Sequence, residues 1–119
     1  MRLTCLIVDD NARFLAAAAT LLAREGVAVV GVASTGDEAL ERAKELRPDV
    51  ALVDVDLNGE SGFDVARRLA GLNGGQPVIL ISSYSQRDFA DLVASSTALG
   101  FVSKAELSAS AIEELVGVR

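Results

Sequence analysis

Val50-Ala51-Leu52-Val53-Asp54-Val55-Asp56-Leu57-Asn58-Gly59-Glu60-Ser61-Gly62 is the stretch whose reading decides the fold. Residues 50–53 are apolar without alternation, the pattern of a strand buried on both faces in a parallel sheet covered by helices. The run ends abruptly in a carboxylate, and a loop of turn-forming residues follows. Asp54 therefore falls at the carboxyl end of a central strand, where open α/β sheets keep their sites. An aspartate before a glycine-containing loop is also an ordinary turn former. What weight Asp54 carries depends on what the rest of the chain brings to the same edge.

Upstream, Pro48 closes a segment in which Ala39, Leu40, Ala43 and Leu46 share one helical face, and Thr35 with Glu38 has capping-box spacing. Residues 27–33 form a β-branched run. Before them, Phe14, Ala18, Leu21 and Leu22 recur at helical spacing over residues 12–24 until Gly26 stops the pattern, and the alanines at 16–19 suit a tightly packed helix. Thr4-Cys5-Leu6-Ile7-Val8 is the first strand, closed by Asp9-Asp10-Asn11. Downstream, residues 61–71 predict a helix with Val65, Ala66 and Leu69 inward. Asn73-Gly74-Gly75 has the composition of a hairpin turn, but between a helix and a strand it reads as a helix exit loop. Pro77 opens a strand at 78–81, with Ser82 and Ser83 its first polar residues. A helix over 86–96 is expected to bury Phe89, Leu92 and Val93 and to expose Asp88 and Asp91. Residues 100–103 give a short strand ending at Lys104, and 109–116 a last helix through Ile112, Leu115 and Val116. The βα unit thus repeats five times with short connections, which predicts an α/β fold with a parallel sheet, right-handed crossovers and helices on both faces. No linker, repeat or low-complexity segment interrupts it, so residues 1–119 read as a single domain.

A net charge of −6 with no histidine argues against nucleic-acid binding by this segment itself. It also removes the commonest general base and the commonest transition-metal ligand. Chemistry must come from carboxylates and lysine, an inventory that suits a hard cation such as Mg²⁺ and not zinc. The sole cysteine, Cys5, lies inside an apolar run and reads as a small buried hydrophobe. The run at residues 3–8 is too short for a signal peptide core or a membrane span, so the cytoplasm is the expected compartment and no membrane partner is expected. Asp37-Glu38 and Glu41-Arg42 read as a solvated helix face with i,i+4 pairs.

In such a fold the ends of strands one, three, four and five open on one rim, which collects Asp9, Asp10, Asp54, Ser82 and Lys104. Carboxylates held together repel and rise in pKa unless a cation joins them. Mg²⁺ takes a few protein oxygens and keeps waters for an incoming phosphate. A hydroxyl and an ammonium beside it supply a donor and a counter-charge for phosphoryl oxygens, and phosphoryl transfer needs little more than these and an in-line nucleophile. Asp54 is the candidate nucleophile, a carboxylate that becomes an acyl phosphate.

Through Val8-Asp9-Asp10, the loop from Asp54 to Gly62, Leu80-Ile81-Ser82-Ser83 and Gly100-Phe101-Val102-Ser103-Lys104, the chain resembles the receiver domain of bacterial two-component response regulators over residues 3–116. The resemblance implies a flavodoxin-like, doubly wound (βα)5 sheet of order 2-1-3-4-5. It implies that Asp54 takes a phosphoryl group from a histidine kinase. Asp10 is then a direct Mg²⁺ ligand, Asp9 acts through a bound water, and Asp56 stands where a backbone carbonyl meets the metal. Ser82 and Lys104 assist the transfer. Ser82 and Phe101 form the switch: Ser82 moves toward the phosphoryl group and Phe101 rotates inward, repacking the face of the fourth helix, fifth strand and fifth helix. Such a domain is no turnover enzyme; it catalyses only its own phosphorylation and dephosphorylation. The stretch at 100–105, lacking proline, resembles receivers attached to helix-turn-helix transcription factors of the NarL/LuxR-like type. That implies control of transcription through a downstream DNA-binding domain, with the chain either stand-alone or the N-terminal part of a longer regulator, and with a homodimer left open.

Three departures from the family pattern carry expectations. Asn58 replaces a common proline and predicts a looser loop. Ala105 replaces another, so the Lys104–Ala105 bond is expected to be trans, because a cis bond without proline costs about 3 kcal/mol more. Asp56 adds negative charge beside the acyl phosphate and is expected to alter its lifetime. Two other readings compete: a phosphorylation-independent receiver-like binding module, and an aspartyl phosphatase of the haloacid dehalogenase type. The latter is prompted by Asp54-Val55-Asp56-Leu57, although in those enzymes that motif usually follows the first strand.

Overall fold

Each apolar run becomes a strand, and each strand pairs in parallel with its neighbours. In the computed structural model, which describes residues 2–117, β1 (Thr4–Val8), β2 (Ala28–Ala33), β3 (Val50–Asp54), β4 (Val78–Ser82) and β5 (Gly100–Ser103) form one sheet. Its order is β2-β1-β3-β4-β5, the flavodoxin-like doubly wound arrangement. The connecting helices are α1 (Ala12–Arg24), α2 (Gly36–Leu46), α3 (Gly62–Ala70), α4 (Ala90–Ala94) and α5 (Ala109–Val116).

Alternate residues of each strand point into opposite layers. Leu6, Val8, Val53 and Leu80 meet Ala39, Ala43, Val65, Ala66 and Leu69 of α2 and α3. Cys5, Ile7, Leu52, Ile79 and Ile81 meet Ala18 and Leu22 of α1 and Ile112 of α5. With both faces covered, all five residues of β3 are buried, which is why its sequence does not alternate. Burial pushes the Cys5 thiol up to about 12. The register pairs Val8 with Val53, Asp54 with Ile81, and Ser82 with Ser103, so the carboxyl ends of β1, β3, β4 and β5 align along one rim.

Local chemistry sets the helix starts. Asn11 Oδ1 accepts from the amides of Arg13 and Phe14, and Thr35 Oγ1 accepts from that of Glu38. The Glu38 carboxylate does not close the expected capping box on Thr35; it turns back one residue further, to the amide and hydroxyl of Ser34. The Ser34 amide, more than any other group, holds the Glu38 carboxyl below its ordinary value. Glu25, the residue that ends α1, accepts the Ala109 amide at the start of α5 at 2.7 Å.

Several expectations need correction. The fourth helix is not continuous over 86–96: a 3-10 turn (Gln86–Phe89) precedes a five-residue α4, and Leu92 is 54% exposed. Phe89 and Val93, one turn apart, are the partly buried residues of this segment that reach the core. Leu21 and Leu46 are exposed; Leu46 spreads over Gly31 of β2, an edge strand paired on one side only. Ala16 and Ala17 face solvent and only Ala18 of that run is buried, so the alanines express helix propensity rather than tight packing. Asp37 pairs with Arg68 of α3 at 2.8 Å and Arg42 Nε donates to Val32 O; among the described residues no i,i+4 ion pair forms on this helix, so tertiary partners replace the expected ones.

The loop after β3 departs most informatively. Asn58 and Gly59 both have positive φ (53° and 94°), and Asp56–Leu57 pairs antiparallel with Glu60–Ser61. This is a two-residue hairpin of the kind Asn-Gly favours and proline is unable to form, because proline fixes φ negative. Leu57 is buried beneath it. Asn58 therefore orders the loop that it was expected to loosen. No cis peptide bond occurs among the described residues, as expected for Lys104–Ala105.

Candidate functional site

Asp54 is the last residue of β3 and only 7% exposed. Its Oδ1 accepts the Asp56 amide at 3.1 Å and its Oδ2 accepts from Lys104 Nζ at 3.0 Å. The backbone behind it is clamped by Gly62 at the start of α3. The Gly62 amide donates to Val55 O at 2.8 Å, and a Cβ on residue 62 would lie 1.9 Å from Asp54 O. Only glycine fits so close an approach, and the approach fixes where the Asp54 side chain begins.

Asp9 follows β1 and is fully buried. Its Oδ1 accepts the Asn11 amide at 2.8 Å. Its Oδ2 lies 2.5 Å from Lys104 Nζ, yet no donor addresses it with good hydrogen-bond direction, so the contact is an ion pair by proximity. Lys104, reaching back from the end of β5, wedges its ammonium between the two carboxylates and 4.3 Å from the Phe14 ring centre. Burial, with the Asp9 charge as a lesser contributor, raises the Asp54 carboxyl despite the opposing Asp56 amide and Lys104. Burial alone would lower Lys104, but the carboxylates of Asp9 and Asp54 that it touches outweigh that and hold it above the ordinary value.

Asp10 completes the cluster from the solvent side. Asp9, Asp10 and Asp54 each offer one carboxylate oxygen, and these lie within 4.8 Å of one another. An all-oxygen, three-carboxylate set with one buried oxygen lacking a directed donor fits a hard divalent cation. The Asp56 side chain does not join it: it is exposed, and its Oδ1 accepts the Gly59 amide at 3.4 Å within the hairpin.

Ser82 ends β4, is 2% exposed, and its Oγ accepts the Tyr84 amide at 3.1 Å. It lines a cleft of about 320 Å³ beside Asp54, with Val55, Asp56, Ser83, Tyr84 and Phe89 as the other walls. Phe101 is buried, 6.0 Å from the Phe89 ring. The rim thus brings together Asp9, Asp10, Asp54, Ser82 and Lys104, while Phe101 lies one ring away. Sequence reasoning missed Tyr84 and Phe89 as cleft walls; Phe89 carried the signal of an ordinary core aromatic. It also missed Glu60, whose Oε1 accepts the Gly36 amide at 2.9 Å and ties the hairpin to the start of α2. Among the described residues no helix is long and apolar enough to cross a membrane.

Residues 5–116 match the family of the response regulator receiver domain. The transcriptional regulatory protein PdtaR of Mycobacterium tuberculosis is 31% identical over 99 residues, covering 83% of this chain and 48% of its own length. The signal receiver domain of the response regulator NarL from the same species superposes with a TM-score of 0.85 at 28% identity, covering 99% of this chain and 98% of that one. A Burkholderia pseudomallei response regulator solved with a phosphorylated aspartic acid and a calcium ion has a TM-score of 0.80 at 26% identity, over 95% of this chain and 66% of its own. The chain spans about half the length of the curated relatives it matches.

Proposed function

The chain belongs to the response regulator receiver domain family, and from that membership we propose that Asp54 accepts a phosphoryl group from a histidine kinase with Mg²⁺ as cofactor. The observation that carries this reading is the group of three carboxylates, Asp9, Asp10 and Asp54, met by the single ammonium of Lys104. An Asp54 carboxylate oxygen attacks phosphorus, the C–O–P linkage of an acyl phosphate forms, and the P–N bond of the donor phosphohistidine breaks with its electron pair leaving on the imidazole. Asp9, Asp10, Asp54 and the Asp56 carbonyl would hold Mg²⁺, which would supply charge compensation to the phosphoryl oxygens. Lys104 transfers its contact from Asp54 to a phosphoryl oxygen, and the Ser82 hydroxyl donates to another. Water later attacks the acyl phosphate and releases inorganic phosphate, which resets the domain without turnover of any metabolite.

Ser82 and Phe101 then bias the packing of α4, β5 and α5. The output is transcription, through a DNA-binding domain of a longer, cytoplasmic, NarL/LuxR-like regulator in which residues 1–119 are the receiver. Intact mass after incubation with acetyl phosphate, with and without Mg²⁺, tests the chemistry. One added phosphoryl group that requires Mg²⁺ and vanishes in Asp54→Ala is the expected result. A folded, Mg²⁺-binding protein that takes no adduct from either of two donors overturns the reading.

A further inference from the structure

Phe89 belongs to two places at once. It walls the cleft beside Asp54 together with Ser82 and Tyr84. It also holds the aromatic cluster together: its ring centroid lies 6.0 Å from Phe101, 6.3 Å from Phe63 and 6.3 Å from Tyr84. Phe101 also lines a second cleft of about 450 Å³, together with Ser83, Val102 and Ala111.

The segment carrying Phe89 is weakly tied. Its 3-10 turn starts at Ser85 without a side-chain cap, and α4 has neither a side-chain cap nor a buried residue. Phe89 and Val93 dock it on the core. Upstream it is latched by the hydrogen bond from the Tyr84 amide to Ser82 Oγ. The hydroxyl that faces the cleft therefore holds the start of the segment that leads to Phe89.

We propose that Phe89 is a positioning residue that transmits the state of Asp54 to Phe101; the inference rests on the reading of Asp54 as phospho-acceptor. A phosphoryl group adds roughly −1.5 to −2 charge and three acceptor oxygens to a space that Phe89 bounds with a ring offering no donor. When Ser82 turns its hydroxyl toward that group, the bond to Tyr84 lengthens, and the turn bearing Phe89 shifts with it. Phe101 then loses a ring neighbour while the second cleft that it lines offers room, so it is free to repack. If Ser82 acted on Phe101 without Phe89, removal of the Phe89 ring would leave the response intact.

The test follows phosphorylation by intact mass while methyl NMR reads Val102 and Ala111, which line the second cleft with Phe101. In the wild type the adduct shifts these resonances. In Phe89→Leu the same adduct is expected to shift them at least about threefold less, aromatic pair contacts being of the size that changes an equilibrium by this factor. Phe89→Tyr restores the response, and Phe63→Leu, which touches the same ring but not the cleft, retains it. A full-sized response in Phe89→Leu, an equal loss in Phe63→Leu, or failure of Phe89→Leu to accept phosphate when the wild type does overturns the proposal. A wild type that takes no adduct refutes the phospho-acceptor reading itself.

Discussion

Replacing Lys104 with methionine keeps the length of the side chain and removes its charge, which leaves Asp9 and Asp54 facing one another. The three side chains are 15%, 0% and 10% exposed. Removing one partner of a buried ion pair costs about 3–5 kcal/mol, because the remaining charge stays buried and uncompensated. The rim is open toward Asp10, and Asp54 has an escape by protonation, so we expect the lower end, about 3 kcal/mol at neutral pH. For a domain whose stability is roughly 5–15 kcal/mol this is a large loss, equivalent to about 10 °C in Tm. The sign with pH follows from Asp54. Its carboxyl is raised by burial, and Lys104→Met removes two of the effects that lower it. A carboxyl raised in the folded state favours folding when protonated, and that advantage is lost as pH rises through its folded value. Urea unfolding should therefore show Lys104→Met far below wild type at neutral pH, and much closer to it in mild acid. Added Mg²⁺ should close the gap at neutral pH. A deficit that is unchanged by acid and by Mg²⁺ would refute the electrostatic account, and no deficit at all would refute the pairing.

Three further outcomes follow from the loop beyond β3. Gly62→Ala places a Cβ 1.9 Å from Asp54 O and 2.7 Å from Val55 Cα, so the backbone must move. We expect a loss of at least about 3 kcal/mol in thermal unfolding together with poor phosphorylation, and a wild-type Tm would sink this. Asn58→Pro installs a residue common in the family but incompatible with φ of 53° here. It should destabilise by about 1–3 kcal/mol, whereas a stabilised protein would mean that the hairpin is not needed. Asp56→Asn removes an exposed charge beside the cleft and should change the rate at which phosphorylated Asp54 hydrolyses. An unchanged rate in a phosphate-release assay would dismiss that role.

The strands were legible because burial on both faces leaves an unbroken apolar run, as in β3, and the rim residues were legible because each follows such a run. The order of the strands was not: periodicity says that Ile79 and Val53 are buried, not that β1 lies between β2 and β3, and the order came with the family resemblance. The hairpin at Asn58-Gly59 was overlooked although Asn-Gly is a strong turn signal, because two residues on each side are too few to read as strands. The short α4 was misjudged for the opposite reason, since Leu92 has a core identity but no covering element. The shared position of Phe89 arises from where four elements meet in space and leaves no trace in local spacing.

Lys104 hangs from β5, an edge strand paired on one side only, and reaches an acid fifty residues away in the chain. Edge strands are among the first parts of a sheet to open in native-state fluctuations. An opening of β5 would carry the ammonium away and leave three carboxylates facing one another uncompensated. Hydrogen exchange at β5 and competence for phosphoryl transfer should therefore rise and fall inversely, as two records of one opening. The same geometry gives the site an order of assembly during synthesis. Asp9 and Asp10 emerge first, Asp54 midway and Lys104 late, so a nascent chain carries the acids well before it carries the cation that makes them usable.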